Sequence, residues 1–423
     1  MSEVLPMVLS VFKRYRYRAY PTGDQVKRLA RVFGCTRVVY NDVIAARETA
    51  WRNGESFPTI GQLSKRLLTE AKRTPQRAWL AEVSSVALQQ SLRDADRAYR
   101  NYFAALAKKQ KNKKVGAPRF KTRRGKQSAR FTGNAHLKLR QTSDGVGHIN
   151  LQKVGRVRFA SSRPLPSVPS SVTVILEADG RYFLSFVVQT PRSAPLPPIE
   201  RVAGVDVGLT DLAAITCSDG SREKVGNPKW LRSEERRLAR AQRALCRKQK
   251  GSHNREKARH RVAVLHRKVR ETRLDHHHKL ALRLVRENQT VALETLSIVA
   301  LVRTRMGKSI HDAGWGTLQR LVEEKAIAHG RTVVRIDRWE PTSQMCSMCG
   351  VKDGVKPLHI RIWTCEACGA RLDRDYNAAV NIMVAAGLAE TLNACGGDVR
   401  RTLACANPSE AGTHRTDRTR AAA

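Results

Sequence analysis

The sequence predicts an α/β multidomain protein. A small N-terminal β-barrel interrupted by a helical insertion comes first, followed by an α/β-layered region with a metal knuckle set into it near the C-terminus. Three observations predict this. A Pro-rich stretch, "TPRSAPLPPIERVAGVDVG", ends near Glu200 and separates two regions that each carry strand patterns. Strand and helix patterns alternate after it, as α/β layering requires. Four of the nine cysteines form two C-x2-C pairs. With 423 residues and 41% hydrophobic content, the chain can build two or three cores.

Along the chain, "RYRAY" and the Val/Phe alternation of "SVTVILEADGRYFLSFVVQT" read as strands, the latter a hairpin around Asp179 and Gly180. Between them, residues 23 to 107 run for long stretches without Gly or Pro and show helical spacing, as at Val26, Leu29, Ala30 and Phe33. After the linker, "RVAGVDVGLTDLAAITCSDG" has the pattern of a strand pair. Residues 230 to 288 are charged and helical and break at "KQKGSHN", which predicts a basic helical hairpin. A strand "QTVALETL", a helix from about Gly314 to His329 and a strand "TVVRID" complete the alternation. No internal repeat is seen.

Charge narrows the partners. The chain has 78 Lys+Arg against 37 Asp+Glu, a formal net charge of +41. That balance favours a polyanion, because each neutralised phosphate releases counterions, and nucleic acid is the leading candidate. Anionic lipid is the alternative, but no run of 18 or more apolar residues and no lipidation motif occurs, so no membrane partner is expected. The start, "MSEVLPMVLSVFKRYRYRAY", places its charges after a short apolar stretch, the reverse of a secretory signal, and a cytoplasmic protein is expected. Cys35, Cys217, Cys246, Cys395 and Cys405 are scattered and read as reduced thiols rather than a disulfide framework.

The sharpest local signal is C-x2-C-x15-C-x2-C, formed by Cys346, Cys349, Cys365 and Cys368. Two such pairs bite one tetrahedral ion, and four thiolates leave no open position, so structural Zn²⁺ is expected. Three acids form a second candidate site. Asp206 in "AGVDVGL" and Glu294 in "VALETL" each interrupt an apolar strand pattern and can project from adjacent strands onto one face. A lone acid in a strand is more often a solvated edge residue. Together with Asp375, however, the acids reach the number that can hold two Mg²⁺ ions for phosphodiester hydrolysis.

A third candidate is "KKQKNKKVGAPRFKTRRGKQSARF", where basic and aromatic residues interleave. Lys113, Lys114, Arg119, Lys121, Arg123 and Arg124 can neutralise phosphates, and Phe120 can stack on a base or anchor the segment. A solvated charged loop is the plainer alternative. His276, His277 and His278 are consecutive on a helical pattern and point in different directions. They are expected at the surface or facing nucleic acid.

Six motifs, in order, resemble the transposon-encoded TnpB (OrfB) family: "AGVDVGLTDLA", "VALETLSI", "DAGWGTLQRLVEEKA", "PTSQMCSMCG", "WTCEACGARLDRDYNAAVNI" and "ACGGDVR". The N-terminal "YRAYPTGDQVKRLARVFGCTRVVYN" and "GAPRFKTRRG" extend the resemblance over nearly the whole chain. It implies a RuvC nuclease domain of ribonuclease-H-like fold with a zinc-ribbon insertion, plus an N-terminal wedge β-barrel carrying a helical recognition insertion. It places the wedge barrel at 1–195 with its insertion at about 22–107, and the first RuvC part at 196–342. The zinc insertion falls at 343–371, the last RuvC element at 372–385, and a partly disordered tail at 386–423.

The same resemblance implies an RNA-guided, Mg²⁺-dependent DNA endonuclease, similar to the type V CRISPR effectors, with guide RNA and target double-stranded DNA as partners. Asp206 matches the family acid of "GVDVG", Glu294 that of the E-x-L strand, and Asp375 the acid before x-N-A-A. Asp373 is left as a helix N-terminal acid, and Arg361 stands where relatives carry an arginine near the scissile phosphate. The chain is expected to be a monomer, associated with the nucleoid when bound to DNA. The alternatives are a compact type V CRISPR effector, a nuclease-inactive RNA-guided repressor, and a transposase acting directly. Intact acids disfavour the second, and the third lacks an evident tyrosine nucleophile with paired histidines.

Overall fold

The computed structural model describes residues 10–107, 115–191, 194–357 and 359–389. Lys113 and Lys114, as well as most of the expected tail, lie outside the described residues. The chain divides into two compact units. One comprises Met1–Ser193 with Glu234–Lys268, the other Ala194–Ser233 with Val269–Ala423. Among the described residues no helix is long and apolar enough to cross a membrane.

In the first unit, β1 (Ser10–Tyr20) leads into α1 (Gly23–Arg52), α2 (Ile60–Ser64) and α3 (Ser85–Ala107). Strands β2 (Gln127–Thr132), β3 (Lys138–Gln141), β4 (Val146–Leu151), β5 (Gly155–Ala160), β6 (Ser171–Leu176) and β7 (Tyr182–Pro191) follow. Helix α1 starts at Thr22 because a capping box satisfies two orphan groups: the Thr22 hydroxyl accepts from Gln25 N, and the Gln25 side chain accepts from Thr22 N. The seven strands form one antiparallel sheet in the order β2-β6-β7-β1-β5-β4-β3. Among the described residues no ladder joins the edge strands β2 and β3. Tyr17, Phe159 and Phe186 meet at its centre with ring centroids 5.3 to 5.7 Å apart, in a core shared with α1 and α3. The β6–β7 hairpin turns at Asp179 and Gly180, whose φ of +76° suits glycine. Asp179 is fixed there by Arg181 at 2.6 Å and Arg267 at 2.8 Å.

The second unit is built on β8 (Val202–Asp206), β9 (Asp211–Cys217), β10 (Arg222–Gly226), β11 (Thr290–Leu293) and β12 (Thr332–Arg335). Two helices, α4 (Trp230–Cys246) and α5 (His253–Glu287), connect β10 to β11. Helices α6 (Ile298–Leu301), α7 (Gly307–Ala313) and α8 (Trp315–His329) connect β11 to β12. A short hairpin, β13 (Ile362–Thr364) and β14 (Arg371–Asp373), then runs into α9 (Arg374–Ala385). The sheet order is β10-β9-β8-β11-β12, with β11 parallel to both β8 and β12, and β9 antiparallel to both its neighbours.

The segment "DAGWG" braces the turn after β8. Asp312 caps α4 by accepting from Leu231 N at 2.7 Å and Arg232 N at 3.1 Å. The Trp315 indole donates to Gly208 O at 3.1 Å. Ala313 O faces His277 Nε2 at 3.0 Å. His277 thereby departs from the surface role expected of the three histidines: it is fully buried, edge-on to Trp230. Burial pushes its pKa down to about 4, so it is a neutral core residue. Since adjacent helical residues point different ways, one of three consecutive histidines on a half-buried helix has to face inward.

Candidate metal centres

The first centre follows from the parallel register of β8 and β11. Leu293 pairs with Val205, so the next residue of each strand, Glu294 and Asp206, leaves the sheet at the same level at the strands' carboxyl ends. Asp375 reaches them from α9. Gly204 and Asp206 lie on the same face of β8, about 6.6 Å apart along the strand. Ala379 and Asp375 lie on the same face of α9, about 6 Å apart along the helix. A Cβ on Gly204 would lie 2.0 Å from Ala379 O and 2.7 Å from Met383 Cγ, so only glycine lets α9 approach this closely. Docking Ala379 on Gly204 therefore carries Asp375 towards Asp206.

The electrostatics record this convergence. The Asp206 carboxyl is pushed up to about 7, first by burial and then by the charges of Glu294 and Asp375. No hydrogen-bond donor reaches that carboxylate among the described residues. Its two neighbours are engaged. Glu294 Oε1 accepts from the Thr342 hydroxyl at 2.7 Å. Asp375 pairs with Arg361 at 3.2 Å and Lys224 at 3.4 Å. Arg361, half-exposed, also donates to the Thr210 hydroxyl at 2.7 Å. The structure thus brings Asp206, Glu294, Asp375 and Arg361 together.

Lys224 on β10 was not singled out in the sequence. It pairs with Asp373 at 2.7 Å as well as with Asp375, and its place on a mixed polar strand gave no signal. Asp373 is the N-cap of α9, accepting from Asp375 N at 3.0 Å and Tyr376 N at 3.1 Å. Burial works to raise its pKa, but the Lys224 hydrogen bond and those amides outweigh it and hold the carboxyl below its ordinary value.

The second centre is the cysteine cluster. The four Sγ atoms lie within 4.8 Å of one another, with Cys346–Cys368 and Cys349–Cys365 each at 3.7 Å. A tetrahedron with Zn–S legs of about 2.3 Å has edges of about 3.8 Å, so the donor set fits Zn²⁺. Each knuckle closes on a glycine in the left-handed region, Gly350 at φ +72° and Gly369 at +71°. Their amides return to Cys346 O and Cys365 O at 2.8 and 2.9 Å. Trp363 and Leu372 pack on the cluster, and β14 passes into α9 without an intervening residue.

The basic segment lies in the first unit. Arg119 and Phe120 are exposed. Lys121 is pinned to α1, its ammonium 3.7 Å from the Tyr40 ring centroid and its backbone N donating to Asn41 at 2.8 Å. Arg123 and Arg124 line a groove of about 1160 Å³ together with Lys126 and three basic residues of α5, Lys257, Arg259 and Arg261, with Glu177 and Glu256 also at its wall. Those α5 residues belong to the stretch read only as a charged helical hairpin.

Comparison with known proteins gives three family matches. Residues 185–305 match a family described as "Probable transposase" (OrfB), residues 315–382 a "Cas12f1-like, TNB domain", and residues 7–56 a "Helix-turn-helix domain". In the last span the described residues form β1 and the single helix α1. A protein of Streptomyces pristinaespiralis named "Putative RNA-guided DNA endonuclease" is 42% identical over 93% of each chain. The Escherichia coli protein "Putative RNA-guided DNA endonuclease InsQ" is 30% identical over 90% of this chain and 93% of its own. Two solved structures share the fold. Cas12f1 in its sgRNA–target DNA complex has a TM-score of 0.53 at 13% identity, covering 88% of this chain and 98% of its own. The mini-RNA-guided endonuclease CRISPR-Cas phi3 has 0.54 at 8% identity, covering 89% and 92%. The near end-to-end identity with these relatives, carried on a chain that brings the motif acids together, shows that the protein belongs to the TnpB (OrfB) family.

Proposed function

We propose that this chain is an RNA-guided DNA endonuclease associated with a transposable element, cutting target DNA beside a short adjacent motif. The observation that carries the reading is the convergence of Asp206, Glu294 and Asp375 at the carboxyl ends of two neighbouring parallel strands and the start of the helix laid across them. Relatives named as RNA-guided DNA endonucleases support the guide and the target. In this reading the second unit's sheet, three antiparallel strands continued by two parallel ones, is a RuvC domain of ribonuclease-H-like fold. The antiparallel sheet of the first unit is the wedge domain, 1–195, and α1 to α3 are its recognition insertion. RuvC parts span 196–342 and 372–385, and the zinc-bearing insertion spans 343–371.

The acid site fits Mg²⁺. Three hard carboxylates converge, and Asp206 is pushed towards neutrality by burial and then by its neighbours, with no hydrogen-bond donor among the described residues to relieve it, which a divalent cation would do. Asp206, Glu294 and Asp375 would hold two Mg²⁺ ions, which would supply activation of a water and charge stabilisation of the leaving oxygen in phosphodiester hydrolysis. Arg361 orients Asp375 and, being half-exposed, would be free to contact a scissile phosphate. Lys224 restrains the same carboxylate from the other side. The groove at Arg123 and Arg124, with the preceding Arg119, Phe120 and Lys121 of the same basic segment, is where the chain would hold nucleic-acid backbone, and Lys113 and Lys114, earlier in that segment's sequence, would add to its charge. Base pairing, not protein contacts, would supply the target sequence.

The test is to express the protein with its native downstream DNA, sequence the copurifying RNA, and incubate the complex with a randomised-flank target plasmid in Mg²⁺. Guide-dependent cuts beside one recurrent motif are expected, abolished in an Asp206→Ala, Asp375→Ala double variant. Full cleavage by that variant would overturn the mechanism. Bound RNA and target without cutting would replace the nuclease by a guided DNA-binding protein.

A further inference from the structure

One polar chain ties the acid site to the segment that opens the zinc knuckle, and Thr342 is its hinge. Thr342 is 4% exposed and lies four residues before Cys346. Its hydroxyl donates to Glu294 Oε1 at 2.7 Å. Its carbonyl accepts from Asn381 Nδ2 at 2.7 Å and from Asn377 Nδ2 at 3.5 Å. The same two amides reach Met345 O, each at 2.7 Å, and Ser347 N donates to Asn377 Oδ1 at 2.8 Å. Asn377 and Asn381 are buried on the helix that carries Asp375. Two asparagines one turn apart on a buried helical face are unfavourable unless satisfied, and here the knuckle's leading segment satisfies them.

We infer that Thr342 is a positioning residue for Glu294: its hydroxyl holds the carboxylate in the orientation that presents the other oxygen to a divalent metal. The backbone of Thr342 is in turn fixed by α9, so the register of that helix sets two of the three acids. Asp375 is set directly and Glu294 through Thr342. A hydrogen bond to a ligating carboxylate selects which oxygen faces the ion, and losing such a partner weakens metal binding or activity by about 10- to 100-fold.

The inference rests on the reading of Glu294 as a metal-holding acid, and the test separates the two. The full chain with its guide RNA is compared with Thr342→Val, which keeps the shape, and Thr342→Ser, which keeps the hydroxyl. Mn²⁺ affinity is read from the free-ion electron paramagnetic resonance signal, alongside zinc content and the rate of target cleavage at saturating DNA. Thr342→Val should bind Mn²⁺ about 10- to 100-fold more weakly and cut more slowly, with zinc content and KM for target DNA unchanged. Thr342→Ser should return both towards the unmodified chain. Unaltered Mn²⁺ affinity in Thr342→Val would overturn the inference, as would a serine variant as impaired as the valine one, or loss of zinc along with the activity. If the unmodified chain binds no more Mn²⁺ than the Asp206→Ala, Asp375→Ala variant, the metal reading fails and this inference with it.

Discussion

Asp206→Asn should stabilise the protein while abolishing its activity. The carboxyl titrates near 7 in the folded chain against an ordinary 3.8, because burial and then the charges of Glu294 and Asp375 oppose its ionisation. A folded-state pKa above the unfolded one means that the folded chain keeps a proton the unfolded chain has lost. Without a divalent metal, stability therefore falls as pH rises from about 4 through about 7, and the loss is complete above that window. At about 1.4 kcal/mol per pKa unit, the shift of roughly three units sets a ceiling of about 4 kcal/mol. The amide of Asn removes the charge at nearly constant shape. In Mg²⁺-free buffer at pH 8, thermal unfolding of the second unit should rise by several degrees, up to about 10 °C at that ceiling. The gain should shrink at pH 5, where Asp206 is already protonated in the folded state. Mg²⁺ should raise the unmodified chain's transition more than the variant's. A gain that is the same at pH 5 and pH 8, or a variant less stable at pH 8, would refute the claim that burial and the neighbouring acids oppose ionisation of Asp206.

Three further outcomes are expected. Cys346→Ser should release zinc, measured by elemental analysis, and slow cleavage although Asp375 is untouched; full activity in zinc-free protein would break the link between knuckle and helix. Gly204→Ala should force α9 off β8, because its Cβ would lie 2.0 Å from Ala379 O; cleavage should drop by roughly 100-fold with zinc retained, as a misplacement of about 1 Å suffices for such a loss. Arg123→Glu with Arg124→Glu should release guide RNA at lower salt than the unmodified chain does, read as copurifying RNA across a salt series, while the thermal transition stays put.

What was legible in the sequence shares a physical character: short-range pattern. The hairpin at Asp179 and Gly180, the break before α5 at "KQKGSHN" and the β11 strand before Glu294 are each written in adjacent residues. The cysteine cluster was legible because ligand spacing is itself a geometric constraint. Asp206 and Glu294 interrupt apolar strand patterns, their grouping with Asp375 followed from the number of acids a two-ion site needs, and the family resemblance added the matching motif for each. What was not legible depends on contacts between distant segments. Lys224 stands 149 residues from its partner Asp373, and nothing in "REKVG" tells which of its charges turns inward. Thr342 hydrogen-bonds across 48 residues, and a single threonine before a cysteine knuckle has many ordinary uses. His277 departs from the expected surface role because the divergence of neighbours on a helix turns one of three consecutive histidines on a half-buried helix into the core.

The same contacts explain why a metal knuckle and an acid stand so close in sequence. Burying Asp206 beside two further carboxylates costs free energy, first through desolvation and then through repulsion, and both push its pKa up. Rigidity there has to come from outside the acids. The adjoining segment supplies it at the start and along the body of α9: β14 delivers the chain to the N-cap Asp373, and the residues leading to Cys346 bind Asn377 and Asn381. Zinc binding by four thiolates contributes about 10 kcal/mol or more in small zinc-folded peptides, well above the few kcal/mol of this desolvation and repulsion. A zinc-stabilised hairpin beside α9 can therefore hold Asp375 in place before any divalent cation arrives. Separating the two by an inserted flexible linker between Leu372 and Asp373 should leave zinc bound and the acids intact, yet remove cleavage, because the helix would no longer begin where the knuckle ends.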